Sequence, residues 1–228
     1  MNKTYCDISE LSSSVLFEAG RTIAWEFITR ERYPWEVLPN IRSIILELGS
    51  YLDKDEYEQR GDDVWIHKTA IVAPSAFIGK AVIIGAETEV RHCAFIRESA
   101  LVGAKAVIGN STELKNVILF DGAQAPHYNY VGDSILGYKA HMGAGSITSN
   151  LKNDHSLVSV AHSEGRIETG LRKFGAILGD CAEIGCNTVL NPGAVVGANS
   201  SVYPLSSVRG SVPSGSIYKR QGEVVKKR

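Results

Sequence analysis

The sequence predicts an all-β fold in which the chain winds as a parallel β-helix, and three observations predict it. Every sixth residue from Ile66 to Phe120 is large and apolar: Ile66, Val72, Ile78, Ile84, Val90, Ile96, Val102, Ile108, Leu114 and Phe120. Four places after all but the last of these stands a small or β-branched residue, as in Ala70, Ala76, Val82, Thr88, Ala94 and Ala100. The period then returns as Leu136 and Met142, and again as Leu178, Ile184, Leu190, Val196, Val202 and Val208. A period of six is neither the 3.6 of a helix nor the 2 of a flat strand, so it describes a coil that turns a corner every six residues. Three such hexads close one triangular turn, which gives roughly six or seven turns stacked at about 4.8 Å each.

The elements follow in chain order. Residues 1–62 carry no hexad and read as an N-terminal helical segment. Ser12 to Arg30 has a helical apolar pattern (Val15, Leu16, Ala19, Ile23, Phe27) with Asp7 or Ser9 to cap it. Pro34 opens a second helical segment whose apolar face is Ile41, Ile44, Ile45 and Leu48, ending before Gly49. Two helices in so short a stretch bury little by themselves, so they are expected to pack on the coil or on a neighbouring subunit. The coil occupies 63–213. Its register breaks at Ala125-Pro126-His127-Tyr128, and an insertion at 151–172 interrupts it, with Leu157 to Val160 as a short strand. Residues 214–228 read as a C-terminal tail.

Composition bounds the function. Lys and Arg number 24 against 25 Asp and Glu, a formal net charge of -1, which argues against nucleic acid as the main partner. No apolar run approaches the ~20 residues that span a bilayer, and Met1 to Asp7 lacks the apolar stretch of a signal peptide. A cytoplasmic protein that is not anchored to a membrane is expected. Cys6, Cys93, Cys181 and Cys186 show no Cys-x-x-Cys spacing and read as unpaired thiols, with no metal expected.

The residues that break the hexad point to chemistry. Arg97, Glu113 and Lys115 stand where small or neutral residues belong. Arg97 and Lys115 are eighteen apart, one full turn, so they are expected to stack on one edge and share an anion, with a phosphate the natural choice. Against this stands the plainer reading of two charges flaring into water. His127, flanked by Pro126 and Tyr128, is expected to be partly buried and close to Glu113, an arrangement suited to a general base oriented by a carboxylate. A lone histidine is more often structural.

The run Gly109 to Lys115, the stretch Ala-Pro-His127-Tyr-Asn-Tyr130-Val-Gly-Asp133, and Gly143-Ala-Gly-Ser-Ile-Thr-Ser-Asn150 resemble the acetyltransferase domain of bifunctional glucosamine-1-phosphate acetyltransferases. Arg166 to Asp180 resembles the archaeal sugar-1-phosphate nucleotidylyltransferase/acetyltransferase branch more closely still. The resemblance spans residues 64 to 213 and implies a left-handed coil, acetyl-CoA as co-substrate and a homotrimer whose neighbouring subunits complete each site. It implies His127 as general base assisted by Glu113, with Arg97, Lys115 and Tyr130 holding the sugar phosphate. It places Asn150 beside the acceptor amine and Lys173 nearby. Ala144 falls where the family backbone meets the thioester, the Gly143-Ala144-Gly145 turn offers N–H groups to an oxyanion, and the pantetheine arm runs toward Cys186. His141 stands where the family has asparagine, so one acceptor contact is expected to differ. No Gly-x-Gly-Thr-Arg loop precedes the coil, so the nucleotidylyltransferase half is expected to be absent.

The leading expectation is acetyl transfer from acetyl-CoA to the amine of an amino-sugar 1-phosphate, with His127 as base. A catalytically silent sugar-phosphate-binding trimer is the alternative from another class. A metal hydratase using His67, His92, His127 or His141 ranks below both, because His67 and His92 are not a multiple of eighteen apart.

Overall fold

The structure, a computed structural model, describes residues 5–227; the leader-free reading of Met1 to Thr4 and the charge of Arg228 lie outside them. From Val64 onward the chain is the expected left-handed parallel β-helix, a three-sided prism whose rungs join into a 12-stranded and a 9-stranded sheet. Its edges are built from residues in the left-handed region. One edge stacks Ala81, Ser99, Asn116, Asp133, Gly193 and Gly210; another stacks Cys93, Ser111, Tyr128, Gly145, Asn187 and Leu205; the remaining edge includes Glu87, Lys105, Gly122 and Lys139. Most of these are not glycine, so each corner carries a local cost of about 1–2 kcal/mol that rung hydrogen bonds and burial must offset.

Inside the prism the hexad residues form one dry column that includes Ile84, Ile96, Ile108, Leu114, Met142, Ile184 and Val202. Phe120, the last of the ten-member series, is not among them. The inward residue is Leu119, in register with Val102 below and Leu136 above. Phe120 points outward and packs on Phe17 with ring centroids 4.7 Å apart. The chain therefore loses a residue before Phe120, earlier than the expected break at 125–128.

The prism is also longer than the periodicity implied. In the 9-stranded sheet every strand except Glu223–Lys226 is a parallel rung, and the last rung, Ser216–Arg220, pairs with Ser201–Val202. Tyr218 is buried in the coil interior, so residues 216–220 extend the coil instead of beginning a tail. The frame was obscured because Val208 and the next inward residue, Val212, are only four apart, whereas Val212 and Tyr218 resume the six.

One face of the prism is apolar on both sides. Between the inward residues, Ile83, Leu101, Ile118, Ile135, Ile177 and Val195 point outward and are buried under the N-terminal segment. Helices thus cover a parallel sheet, as such sheets require. The expected single helix over 12–30 is instead two short ones, Ser13–Leu16 and Trp25–Arg30. Tertiary contacts break it. Asp180 on the coil accepts the Glu18 N–H at 2.6 Å and the Tyr138 N–H at 2.7 Å, while Gly20 takes φ 76°. Burial pushes the Asp180 carboxyl up from its ordinary range, against the lowering pull of those two N–H groups.

The longer helix, Ile41–Tyr51, buries Ile41, Ile44 and Ile45. It runs through Gly49, which is there for packing and not as a stop: a Cβ at Gly49 would lie 2.4 Å from the Trp65 ring. Trp35 is fully buried between Tyr33 and Phe174, with centroids at 4.6 and 5.8 Å. The insertion contributes a hairpin, Ser159–His162 with Gly165–Glu168, whose Val158 and Val160 join the same layer. The helices accordingly pack on their own coil. Cys6 is buried there, and burial pushes its thiol up to about 11. Cys93 and Cys186 are exposed, and all four cysteines are unpaired.

Among the described residues no helix is long and apolar enough to cross a membrane.

Candidate active site

The lost residue locates the site. Between the second edge and the first, the rung bounded by Cys93 and Ser99 is one residue longer than those bounded by Ser111 and Asn116 and by Tyr128 and Asp133. Ile96 pairs with Leu114, but the next partners are Glu98 and Lys115, so Arg97 is the extra residue and has no counterpart above it. The expected stacking of Arg97 on Lys115 is therefore corrected. The two cations do not share one position, and each has its own carboxylate. Arg97 Nη1 donates to Glu113 Oε1 at 3.0 Å, and Lys115 Nζ donates to Asp133 Oδ1 at 3.0 Å and Oδ2 at 3.3 Å. The Arg97 guanidinium is held further above its ordinary range by the Glu113 carboxylate.

Asp133 is the centre of this edge. Its side chain is 5 % exposed and that of Lys115 16 %. Besides Lys115 it accepts Asn116 Nδ2 at 3.0 Å and Asn150 Nδ2, and Asn150 also reaches the Tyr130 hydroxyl at 3.1 Å. Burial, then the nearby Asp133 and Glu113 charges, push the Tyr130 phenol up from its ordinary range. Tyr130 folds back over Gly132, where a Cβ would meet its hydroxyl at 2.5 Å. An isolated bridge between Leu151 and Lys173 closes the base of the insertion beside Asn150. Lys115, Tyr130 and Asn150 thus come together through Asp133, a residue that sequence reasoning passed over. The signal was present, since a carboxylate one turn above a lysine on a tight corner is a ready partner for it.

His127 lies on the other edge, at the end of the strand Gln124–His127. It is exposed, and Tyr128 beside it is 66 % exposed, so the expected partial burial is corrected. Glu113 bonds Arg97 and not His127, and among the described residues no group hydrogen-bonds the His127 ring. What fixes this corner is Asn129, buried and missed from sequence. Its Oδ1 accepts the His127 N–H at 3.0 Å, and its Nδ2 donates to the Gly143 carbonyl at 2.9 Å and the Ser146 carbonyl at 3.0 Å.

One turn above His127 stands Ala144, and one turn above that Cys186, as the register of Gln124 with His141 and of Met142 with Ile184 requires. Of the three N–H groups in the Gly143-Ala144-Gly145 turn, two are committed. Gly143 donates to the Ile184 carbonyl at 2.7 Å and Gly145 to the His127 carbonyl at 3.0 Å. The Ala144 N–H has no acceptor among the described residues, which narrows the expected oxyanion donor to one.

His141 lies on a third face, its Nδ1 3.1 Å from Glu183 Oε2, and so does not touch the Asp133 cluster of its own chain. His67 and His92 bond Thr69 and Ser75 respectively. Among the described residues no three His, Cys, Asp or Glu side chains gather where a metal would bind.

Comparison with known proteins adds relatives that match the chain in part. No protein-family profile matches the chain. It is 35 % identical over 106 residues to the bifunctional sugar-1-phosphate nucleotidylyltransferase/acetyltransferase of Sulfurisphaera tokodaii, covering 46 % of this chain and 26 % of that protein. It is 34 % identical over 116 residues to the bifunctional protein GlmU of Methanococcus maripaludis, covering 50 % and 28 %. The acetyltransferase YaiX of Escherichia coli is 32 % identical over 108 residues, 47 % of each protein. The chain thus spans about a quarter of the length of the bifunctional relatives it matches. Among solved structures, a hexapeptide transferase family protein from Anaplasma phagocytophilum superposes with a TM-score of 0.43 at 18 % identity, over 74 % of this chain and 81 % of that one.

Proposed function

We propose that this chain, a left-handed hexapeptide β-helix homologous over about half its length to sugar-1-phosphate nucleotidylyltransferase/acetyltransferases, transfers an acetyl group from acetyl-CoA to the amine of an amino-sugar phosphate. The observation that carries the reading is the alignment on successive turns of one edge of an exposed imidazole, an unengaged backbone N–H and an exposed small side chain: His127, Ala144 and Cys186. An amine attacks a thioester only when neutral. A positioned histidine takes the proton as the C–N bond forms, and the departing CoA sulfur receives a proton when the C–S bond breaks. The Ala144 N–H is the donor free to meet the carbonyl oxygen as it gains charge. The Asp133 edge supplies polar groups for the acceptor in Lys115, Asn150, Tyr130 and the nearby Lys173, and Arg97 lies at its foot.

The two edges are separated by the rung Asn129 to Gly132, about 16 Å of extended chain. A site using both is most simply assembled between neighbouring subunits, and this supports a homotrimer. Phe77 and Phe95, tilted against each other with ring centroids 5.4 Å apart and exposed on the face between those edges, supply apolar surface for such a contact. Sedimentation is expected to give three times the 24.7 kDa chain mass; a monomer at micromolar concentration would overturn the shared-site reading.

Two measurements test the activity. Release of free CoA from acetyl-CoA is expected with at least one member of a panel of amino-sugar phosphates. Independently, CoA is expected to slow alkylation of Cys186 at least tenfold while leaving Cys93 labelling unchanged. Turnover with none of the panel, together with unprotected Cys186, would favour a sugar-phosphate-binding scaffold instead.

A further inference from the structure

The acceptor edge is electrically balanced. Arg97 faces Glu113 and Lys115 faces Asp133, two cations against two carboxylates. The unbalanced positive charge of this side of the molecule lies farther up the prism, where the insertion meets the coil. Two adjoining clefts of about 270 and 170 Å³ share Lys152, Asn191, Pro192 and Arg209, and Arg166 of the insertion hairpin lines the second. Neither Arg166 nor Arg209 forms an ion pair among the described residues. Lys152 is held in place by neutral acceptors, its Nζ donating to Ser156 Oγ at 2.6 Å and the Leu157 carbonyl at 3.2 Å. The one carboxylate of the lining, Asp154, accepts the N–H and hydroxyl of Ser156. Three cations therefore face a single carboxylate. Such a cluster repels itself unless an anion joins it.

The cleft lies on the same column of the prism as the acceptor edge. The register Lys115 with Gly132, Tyr130 with Ile147, Ile147 with Val189, and Val189 with Ser207 puts Lys115, Gly132, Ser149, Asn191 and Arg209 in one column. Four rungs separate Lys115 from Arg209, about 19 Å. Of the residues between, Gly132 is buried under the Tyr130 ring, whereas Ser149 and Asn191 line the first cleft. Two arginines and a lysine around two adjoining clefts suit a group with two linked phosphates better than a single phosphate. Arginine forks suit those oxygens.

We infer that Arg166, Arg209 and Lys152 form a subsite for a nucleoside diphosphate group. Two substrates of the proposed reaction can carry one, CoA through its adenosine diphosphate end and a nucleotide-linked amino sugar through its diphosphate. The subsite's place in the reaction rests on the acetyltransfer reading, but its binding does not.

The test is calorimetric titration of ADP into the full chain and into the Arg166→Ala/Arg209→Ala double variant. Both arginines are exposed, so the variant is expected to keep its melting temperature. The parent is expected to bind ADP and the double variant at least tenfold more weakly. Arg91→Ala, at an arginine already paired with Glu89, is expected to bind like the parent. No binding by the parent, equal binding by the double variant, or an equal loss in Arg91→Ala would each overturn the subsite. Where turnover is measurable, a raised KM for acetyl-CoA alone assigns the group to CoA, and a raised KM for the acceptor alone assigns it to a nucleotide-linked sugar. A protein that binds ADP in this way but turns over nothing would refute the acetyltransfer reading and leave the subsite standing.

Discussion

His127→Ala is expected to lower turnover by about 10²–10⁴ while the folded structure stays as stable as the parent. The side chain is exposed and its ring has no hydrogen bond among the described residues, so few folded-state contacts leave with it. Surface changes of that kind usually stay within about 0.5 kcal/mol. The features that hold the corner are main-chain ones, the His127 N–H on Asn129 and its carbonyl on the Gly145 N–H, and alanine keeps both. Steady-state rates at saturating acceptor and acetyl-CoA, with a denaturation curve alongside, decide the matter. A variant with near-parental kcat would show that another group takes the proton.

Asp133→Ala is expected to act in the opposite way, on stability first. It leaves the Lys115 ammonium nearly buried without its counter-charge and takes one acceptor each from the amides of Asn116 and Asn150, which keep the Leu38 carbonyl and the Tyr130 hydroxyl. Removing one partner of a buried ion pair costs about 3–5 kcal/mol. Asp133→Asn is expected to lose less, because its Oδ1 still accepts from Lys115 and Asn116, and only its amide nitrogen, facing the donating Nδ2 of Asn150, is mismatched. Urea midpoints of the two variants, with acceptor KM for whichever stays folded, check this. If Asp133→Ala unfolded at the parental midpoint, the corner would be held by something other than its carboxylate.

The contrast between those two positions shows where sequence reading stops. Both stand in one nine-residue stretch, Ala125 to Asp133, and both belong to the motif by which the chain resembles acetyltransferases. Their surroundings differ because one edge of the prism faces out and the other folds a polar cluster into itself. Nothing in a linear pattern separates a histidine at one corner from an aspartate at the next. Likewise, an eighteen-residue spacing suggested that Arg97 and Lys115 stack. One residue missing between Ser111 and Asn116 was enough to set Lys115 over Glu98 and to give each cation a separate carboxylate.

By itself the sequence determined the coil, because a hexad of buried apolar residues leaves a chain few other ways to dry its interior. It also gave the expectation of an insertion and of a helical segment before the coil, since neither can continue that hexad. The tertiary structure alone decided which face the N-terminal segment covers, which residue each charge pairs with, and which backbone N–H remains free. Those outcomes depend on contacts such as Glu18 with Asp180, 162 positions apart, and Lys115 with Asp133 across one turn. They are set by geometry and desolvation at the meeting of distant segments, and no local propensity carries that information.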